Sequence, residues 1–139
     1  MSKPNIYINT IFRYCNDIDA MRHFYTDLLA LDETYYRNDE EHGWLTYQIG
    51  HTQLVFTRAS SPLAIETEWA KSPAYSGGTK EMQSWVVALT GDNYQATIER
   101  IKSSDAPIYE GEINTPELLL LAQDPMGMTI EFWLESEDN

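Results

Sequence analysis

A glutamate near the C-terminus lies in an otherwise apolar strand directly after a tight turn, in residues 124–133, DPMGMTIEFW. Asp-Pro-x-Gly is typical of a turn in which proline presets φ and glycine takes a positive φ. In the alternating strand that follows, one face carries Thr129, Glu131 and Trp133. If that face lines a cavity, Glu131 is a ligand-binding group or a catalytic base. If it meets water, the carboxylate is an ordinary surface group.

Charge restricts the classes of partner. The 139 residues include 22 acidic and 9 basic side chains, a formal net charge of −13, and 42% are hydrophobic. Such a charge repels the phosphates of nucleic acids and anionic membrane surfaces. We therefore expect a small-molecule ligand, and neither nucleic acid nor a membrane as partner. The length fits one domain, or two small halves that share a core.

Cysteine and histidine offer little for redox or metal chemistry. Cys15 is the one cysteine, so no internal disulfide forms. His23 falls on a predicted helix, while His42 and His51 flank a predicted strand, too far apart to share an ion at about 3.3 Å per residue. The N-terminal residues do not form a basic and apolar leader. We expect a cytoplasmic protein.

The first half of the chain has the pattern of a strand, a helix and three strands. Residues 5–14 alternate as a strand, and Asn16 or Asp17 is placed to cap a helix with apolar residues at helical spacing. Strand-like stretches follow at 33–37, 43–49 and 52–58. These residues, 5–58, form a predicted βαβββ unit.

The connecting stretch, 59–81, combines chain breakers with aromatic residues. It contains Pro62, Trp69, Pro73 and Tyr75, a composition too aromatic for an inert spacer and too rich in breakers for a long helix. We expect it to fold over a cleft as a lid or to pack against a second subunit. Residues 65–71 are predicted to form a short helical turn.

The same order of elements recurs in residues 82–136. An apolar strand at 84–89 precedes a helix that Asp92 caps, with Tyr94, Ile98 and Ile101 on its buried face, and strands follow at 108–111, 117–122 and 128–134. Each unit has an apolar sheet face that it cannot bury alone. The sequence therefore predicts an α+β fold in which two tandem βαβββ units form a curled mixed sheet around a cleft.

Several short motifs at matching places in the two units carry a family resemblance. They are NDID at 16–19, Phe24-Tyr25, LLAL at 28–31, Gly77-Gly78, Gly91-Asp92, DPMG at 124–127 and Ile130-Glu131-Phe132. With them, nearly the whole chain resembles the glyoxalase, bleomycin-resistance and extradiol-dioxygenase superfamily, also called the vicinal oxygen chelate fold. Members of that family are often homodimers, so the resemblance implies a homodimer here.

The resemblance also permits a test for a metal site. Metal-dependent members of the family hold one divalent ion with four side chains from four strands. The corresponding positions here are Thr10, Gln53 or Val55, Trp85 or Val86, and Glu131. Hydroxyl, amide and apolar side chains with one carboxylate are poor ligands for Fe²⁺, Mn²⁺, Zn²⁺ or Ni²⁺. The chain is therefore most similar to the metal-free binding branch, and we expect no metal or other cofactor.

Aromatic residues dominate the predicted strands. Tryptophan and tyrosine have polar tips that seek hydrogen-bond partners, so with four tryptophans in the chain we expect some to line a pocket rather than fill the core. The predicted ligand-binding residues are Thr10, Phe12, Tyr47, Gln53, Trp85, Tyr109, Glu131 and Trp133.

Two functions of different class follow. The first is a non-enzymatic module that sequesters or senses an aromatic or cationic compound, because aromatic faces attract cations by about 0.5 to 2 kcal/mol and a carboxylate adds a charge-assisted hydrogen bond. The alternative is a lyase, isomerase or dioxygenase-like enzyme in which Glu131 acts as general base or metal ligand. A protein that acts only through surface contacts is a third interpretation.

Overall fold

The computed structural model describes residues 5–72, 75–79, 84–91, 93–111, 113 and 115–135, with side chains described outside 70–79. The chain divides into two compact units, Met1–Leu63 and Ala64–Asn139. No helix in the described part of the chain is both long and apolar enough to cross a bilayer.

The first unit is a four-stranded mixed sheet with one helical segment. Its strands are β1 (Thr10–Cys15), β2 (Asp32–Asn38), β3 (Gly43–Ile49) and β4 (Thr52–Arg58), in the spatial order β1-β4-β3-β2. β1 pairs with β4 in parallel, and the other pairs are antiparallel. Helix α1 (Ile18–Arg22) continues directly into a π-helical turn, His23–Leu28. The predicted βαβββ order is confirmed.

The helical segment begins and packs as its sequence dictates. Asp17 caps α1, because its carboxylate accepts a hydrogen bond from the Ala20 amide at 3.1 Å. The ring of Tyr25 then packs on two aromatic residues of the sheet, with centroid distances of 4.8 Å to Phe56 and 6.0 Å to Tyr47. Phe56 and Tyr47 therefore belong to the sheet face that the helix covers.

The helical segment ends at a residue that is not glycine but has a positive φ. Ala30 has φ 58°, and it follows the last helical turn, where the Leu31 amide donates to the Tyr25 carbonyl at 3.0 Å. Glycine is favoured at such a position because a Cβ costs about 1 kcal/mol in the left-handed region. Ala30→Gly is expected to raise the free energy of unfolding by about 1 kcal/mol, measured by urea denaturation. A loss of stability contradicts this prediction.

The second unit is a three-stranded mixed sheet, one helix and a separate hairpin. The hairpin is β5 (Trp69–Ser72) with β6 (Tyr75–Thr79). The sheet has the spatial order β7-β9-β8, formed by β7 (Ser84–Leu89), β8 (Leu118–Gln123) and β9 (Thr129–Leu134), with helix α2 (Asn93–Lys102) after β7. β7 is parallel to β9, and β8 is antiparallel to it. This order repeats that of the first unit, and the α+β class with tandem units is confirmed.

Three predicted elements differ from the structure. β1 begins at Thr10, not at residue 5. Instead of a strand at 108–111 there is a single bridge between Ile108 and Ala122, and the predicted strand ends in Glu110 and Gly111, residue types that are depleted in strands. The predicted helical turn at 65–71 is wrong: residues 65–68 form neither helix nor strand, and the chain enters β5 at Trp69, because a short isolated turn of helix is marginal against strand pairing. Asp92 lies outside the described residues.

Candidate ligand-binding site

Glu131 lies in the middle of β9, the central strand of the second sheet. It pairs with Val86 on β7 and with Leu121 on β8, and only 7% of its surface is exposed. Because side chains alternate along a strand, Thr129 and Trp133 project from the same face. The structure therefore places the carboxylate within a buried part of that face and not in bulk solvent.

The turn before β9 fixes the start of this strand. The carboxylate of Asp124 accepts hydrogen bonds from the amides of Met126 at 2.8 Å and Met128 at 3.0 Å. Gly127 has φ 81°, and a Cβ at this position would overlap the carbonyl oxygen of Glu66. The predicted Asp-Pro-x-Gly turn is confirmed, and glycine is required there both for its conformation and for the close approach of residue 66.

Two buried polar atoms on the Glu131 face lack hydrogen bonds within the described part of the chain. They are Oε1 of Gln123 and the indole Nε1 of Trp133. Gln123 ends β8, pairs with Thr129 and is 2% exposed. Its Nε2 donates to the carbonyl oxygen of Thr67 at 2.9 Å. Buried polar atoms without partners are rare in folded proteins and call for an explanation.

The two units share a register that identifies equivalent positions. Each parallel ladder has six residue pairs, followed by a hydrogen bond of 2.9 Å, from the Ala59 amide to Cys15 and from the Glu135 amide to Leu89. The third pair is Phe12 with Val55 in the first unit and Val86 with Glu131 in the second.

The donors at these positions do not fit a metal site. The third pairs of the two ladders supply three apolar side chains and one carboxylate, and the first pair of the first unit is Thr10 with Gln53. First-row metal sites need several imidazole, thiolate or carboxylate donors. Among the described residues no group of three or more His, Cys, Asp or Glu side chains is placed to hold an ion.

Three predicted site residues share the sheet face of the first unit that the helix does not cover. Thr10 pairs with Gln53, and Phe12 lies two residues along the same strand. Phe12 is 63% exposed and contacts the ring of Trp44 edge-on, with centroids 6.0 Å apart. This open face therefore presents aromatic surface to solvent.

Tyr47 does not join these residues. It pairs with Leu54, lies beneath the helix and is fully buried, and its hydroxyl is 2.7 Å from that of Thr26. The structure thus places Tyr47 in the core of the first unit, and we leave it out of the candidate site. Alternation along β3 was a signal for this, because Leu45, Tyr47 and Ile49 share its apolar face while Thr46 and Gln48 lie on the other.

Because Tyr47 is buried, its ionisation makes the stability of the protein depend on pH in the alkaline range. Removal of its hydroxyl from water raises the pKa of Tyr47 to about 12. The unfolded chain releases this proton near pH 10, so stability is expected to fall between pH 10 and 12, by up to about 2 kcal/mol. Tyr47→Phe should reduce that loss while costing about 1 kcal/mol at pH 8 through the missing hydrogen bond. Urea unfolding of both proteins between pH 8 and pH 12 tests this, and a free energy of unfolding that depends on pH identically in the two proteins contradicts it.

Two further predicted residues belong to the second unit. Trp85 pairs with Ile130, so it projects from the sheet face opposite to Glu131, and Val86 is the β7 residue beside Glu131. Tyr109 lies along the edge of β8, because its amide donates at 3.0 Å to the carbonyl of Leu121, the residue that pairs with Glu131. Its ring centroid is 5.3 Å from that of Trp69. Of the predicted set, Glu131 and Trp133 are the pair that β9 itself places on one face.

Sequence reasoning missed Gln123 as a site candidate. Gln123 is the single amide at the end of the apolar run LLLLAQ, a signal that was available. Trp44 lines a cavity of about 430 Å³ at the end of the first sheet, together with Glu40, Glu41, His42, Gly43, Thr57, Arg58, Ala59 and Ser60. Trp44 is also the ring that Phe12 contacts.

The family model for the Glyoxalase/Bleomycin resistance protein/Dioxygenase superfamily matches residues 7–132. The chain belongs to this superfamily. The resemblance read from its motifs is thereby confirmed. No curated protein matches the chain significantly.

Solved structures with the same fold include a fosfomycin resistance protein and an antibiotic binding protein. A mutant of the fosfomycin resistance protein FosX from Listeria monocytogenes, complexed with Mn(II) and 1S,2S-dihydroxypropylphosphonic acid, has a TM-score of 0.67, 11% identity and coverage of 95% of this chain and 94% of that one. The antibiotic binding protein TnmS3 from Streptomyces sp. CB03234 has a TM-score of 0.57, 17% identity and coverage of 97% and 100%. At these identities the likeness shows the fold alone.

Proposed function

We propose that the protein binds a small aromatic or cationic organic compound without chemically changing it, through the Glu131 face of the second sheet. The observation that carries this proposal is the buried carboxylate of Glu131 on a face that also holds Trp133, between the apolar residues Val86 and Leu121 of the neighbouring strands. The finer predictions, a cytoplasmic homodimer without metal, belong to the same proposal.

Electrostatics favour a cationic or hydrogen-bond-donating ligand. The pair of Glu131 and an indole offers a charged acceptor beside an aromatic surface, and cations are attracted to both. The net charge of −13 concentrates cations near the protein and repels anions.

The relatives are consistent with binding and also with catalysis. TnmS3 is an antibiotic binding protein, and FosX is a resistance protein seen with Mn(II). In this chain the residues paired with Glu131 in its sheet, Val86 and Leu121, are apolar and offer no ligand to such an ion, which favours the binding role. An enzyme with Glu131 as its base remains the alternative. Melting temperatures measured with organic ligands and with Mn²⁺ distinguish the two functions.

The test compares two flat compounds that differ in charge, 9-aminoacridine, a cation at neutral pH, and neutral acridone. A ligand that prefers the native state raises the melting temperature. We expect 9-aminoacridine to raise Tm and acridone to raise it less. Equal shifts, or none, contradict the proposal. Stoichiometric metal after native purification, or a larger gain with Mn²⁺ than with 9-aminoacridine, favours the enzymatic alternative.

A further inference from the structure

Gln123 is a cross-strand neighbour of Glu131 on the same sheet face. It pairs with Thr129 across β8 and β9, while Leu121, two residues earlier, pairs with Glu131. Gln123 and Glu131 are thus diagonal neighbours on one face, about 7 to 8 Å apart. A single small ring system spans that distance. The side chain of Gln123 is 98% removed from solvent, since its exposed fraction is 2%.

Of the two ends of the Gln123 amide, only Nε2 has a hydrogen-bond partner among the described residues. Its Nε2 donates to the Thr67 carbonyl at 2.9 Å, and that bond fixes the orientation of the amide because only the NH₂ end of an amide can donate to a carbonyl. Its Oε1 has no partner among the described residues. A group that presents a carbonyl and an N–H side by side can pair with both ends of the amide, whereas Thr67 supplies the carbonyl alone.

The segment that supplies this carbonyl, residues 64–68, is here called the strap. It has neither helix nor strand, and Ile65 is 45% exposed. Its contacts with the sheet include the hydrogen bond from Gln123 and the approach of the Glu66 carbonyl to Gly127. Few buried apolar contacts therefore oppose its displacement.

We propose that Gln123 is a specificity residue that recognises a lactam, imide or pyrimidinone group by hydrogen bonding. Without ligand, the Thr67 carbonyl of the strap accepts the hydrogen bond that the ligand's carbonyl accepts in the complex. This inference rests on the proposed function and names the ligand class of the same face. The ligand's carbonyl accepts from Nε2 in place of Thr67, and its adjacent N–H donates to Oε1. Both bonds of the amide are then made, and the strap is released.

The test uses a matched pair of neutral compounds, 2-quinolone, which has adjacent N–H and C=O groups, and 1-methyl-2-quinolone, which lacks the N–H. We expect 2-quinolone to bind at least tenfold more tightly, because loss of the donor leaves Oε1 unpaired. Gln123→Met should abolish this preference. Hydrogen exchange of residues 64–68 should become faster when 2-quinolone is added.

The matched control is Gln48→Met. Gln48 also donates from Nε2 to a backbone carbonyl, that of Gly50 at 2.8 Å, but it lies in the first unit, and its substitution should leave the preference unchanged. Equal affinity for the two quinolones, no binding of either, a preference that survives Gln123→Met, or unaltered exchange in the strap each overturn the inference. Because the quinolones are neutral, such a failure with an intact 9-aminoacridine response leaves the proposed function standing.

Discussion

Glu131→Gln is expected to weaken binding of 9-aminoacridine by about tenfold or more. The substitution keeps the shape of the side chain and its place between Val86 and Leu121, but it removes the charge that a cationic ligand pairs with. A hydrogen bond to a charged group contributes roughly 1.5 to 3 kcal/mol, and each 1.4 kcal/mol is about a tenfold change in affinity. Isothermal titration of both proteins measures the ratio of dissociation constants.

The control for this variant is Glu135→Gln. Glu135 directly follows β9 and is exposed, so its substitution changes the net charge equally without altering the buried face. We expect the control to bind 9-aminoacridine as the parent does, and acridone to bind the parent and Glu131→Gln alike. Equal weakening by the two substitutions would mean that only the long-range charge of the protein matters.

Gly127→Ala is expected to destabilise the second unit by about 2 to 4 kcal/mol. An alanine at φ 81° costs about 1 to 2 kcal/mol, and its Cβ also collides with the backbone carbonyl of Glu66, which cannot rotate away as a flexible side chain can. The turn that starts β9 and the attachment of residue 66 are both disturbed. Urea denaturation gives the change in the free energy of unfolding.

Gly50→Ala separates the cost of a positive φ from the cost of the collision with the Glu66 carbonyl. Gly50 has φ 58° in the turn between β3 and β4, and a Cβ there meets nothing within 4 Å. This variant carries the backbone cost alone, about 1 to 2 kcal/mol. If Gly127→Ala is no more destabilising than Gly50→Ala, the close approach of residue 66 contributes nothing to stability.

Local sequence signals predicted the elements that such signals control. The strand-like stretches at 43–49 and 52–58 and the apolar stretch at 84–89 coincide with β3, β4 and β7, Asp17 caps the first helix, and the DPMG turn precedes Glu131. These features depend on neighbouring residues, side-chain period and turn chemistry. The family, and with it the order of strands, could likewise be read from motifs that span nearly the whole chain.

The sheet face from which each side chain projects could not be predicted, because it depends on strand register. Tyr47 and Phe12 are both aromatic strand residues, yet one is buried under the helix and the other is 63% exposed. Trp85 and Val86 were equal candidates until the pairing of Val86 with Glu131 decided between them, since a shift of one residue reverses every side chain on a strand. The strap escaped prediction for a related reason: its path is set by Gly127 and Gln123, some 60 residues further along the chain.

The most direct test of the ligand face follows the indole N–H signals of the four tryptophans by ¹H–¹⁵N NMR during titration with 9-aminoacridine. Trp133→Phe assigns the signal of Trp133, whose Nε1 has no hydrogen-bond partner among the described residues. The proposed function predicts that this signal shifts on binding and that the shift shrinks in Glu131→Gln. A ligand that binds with the Trp133 signal unmoved would contradict it.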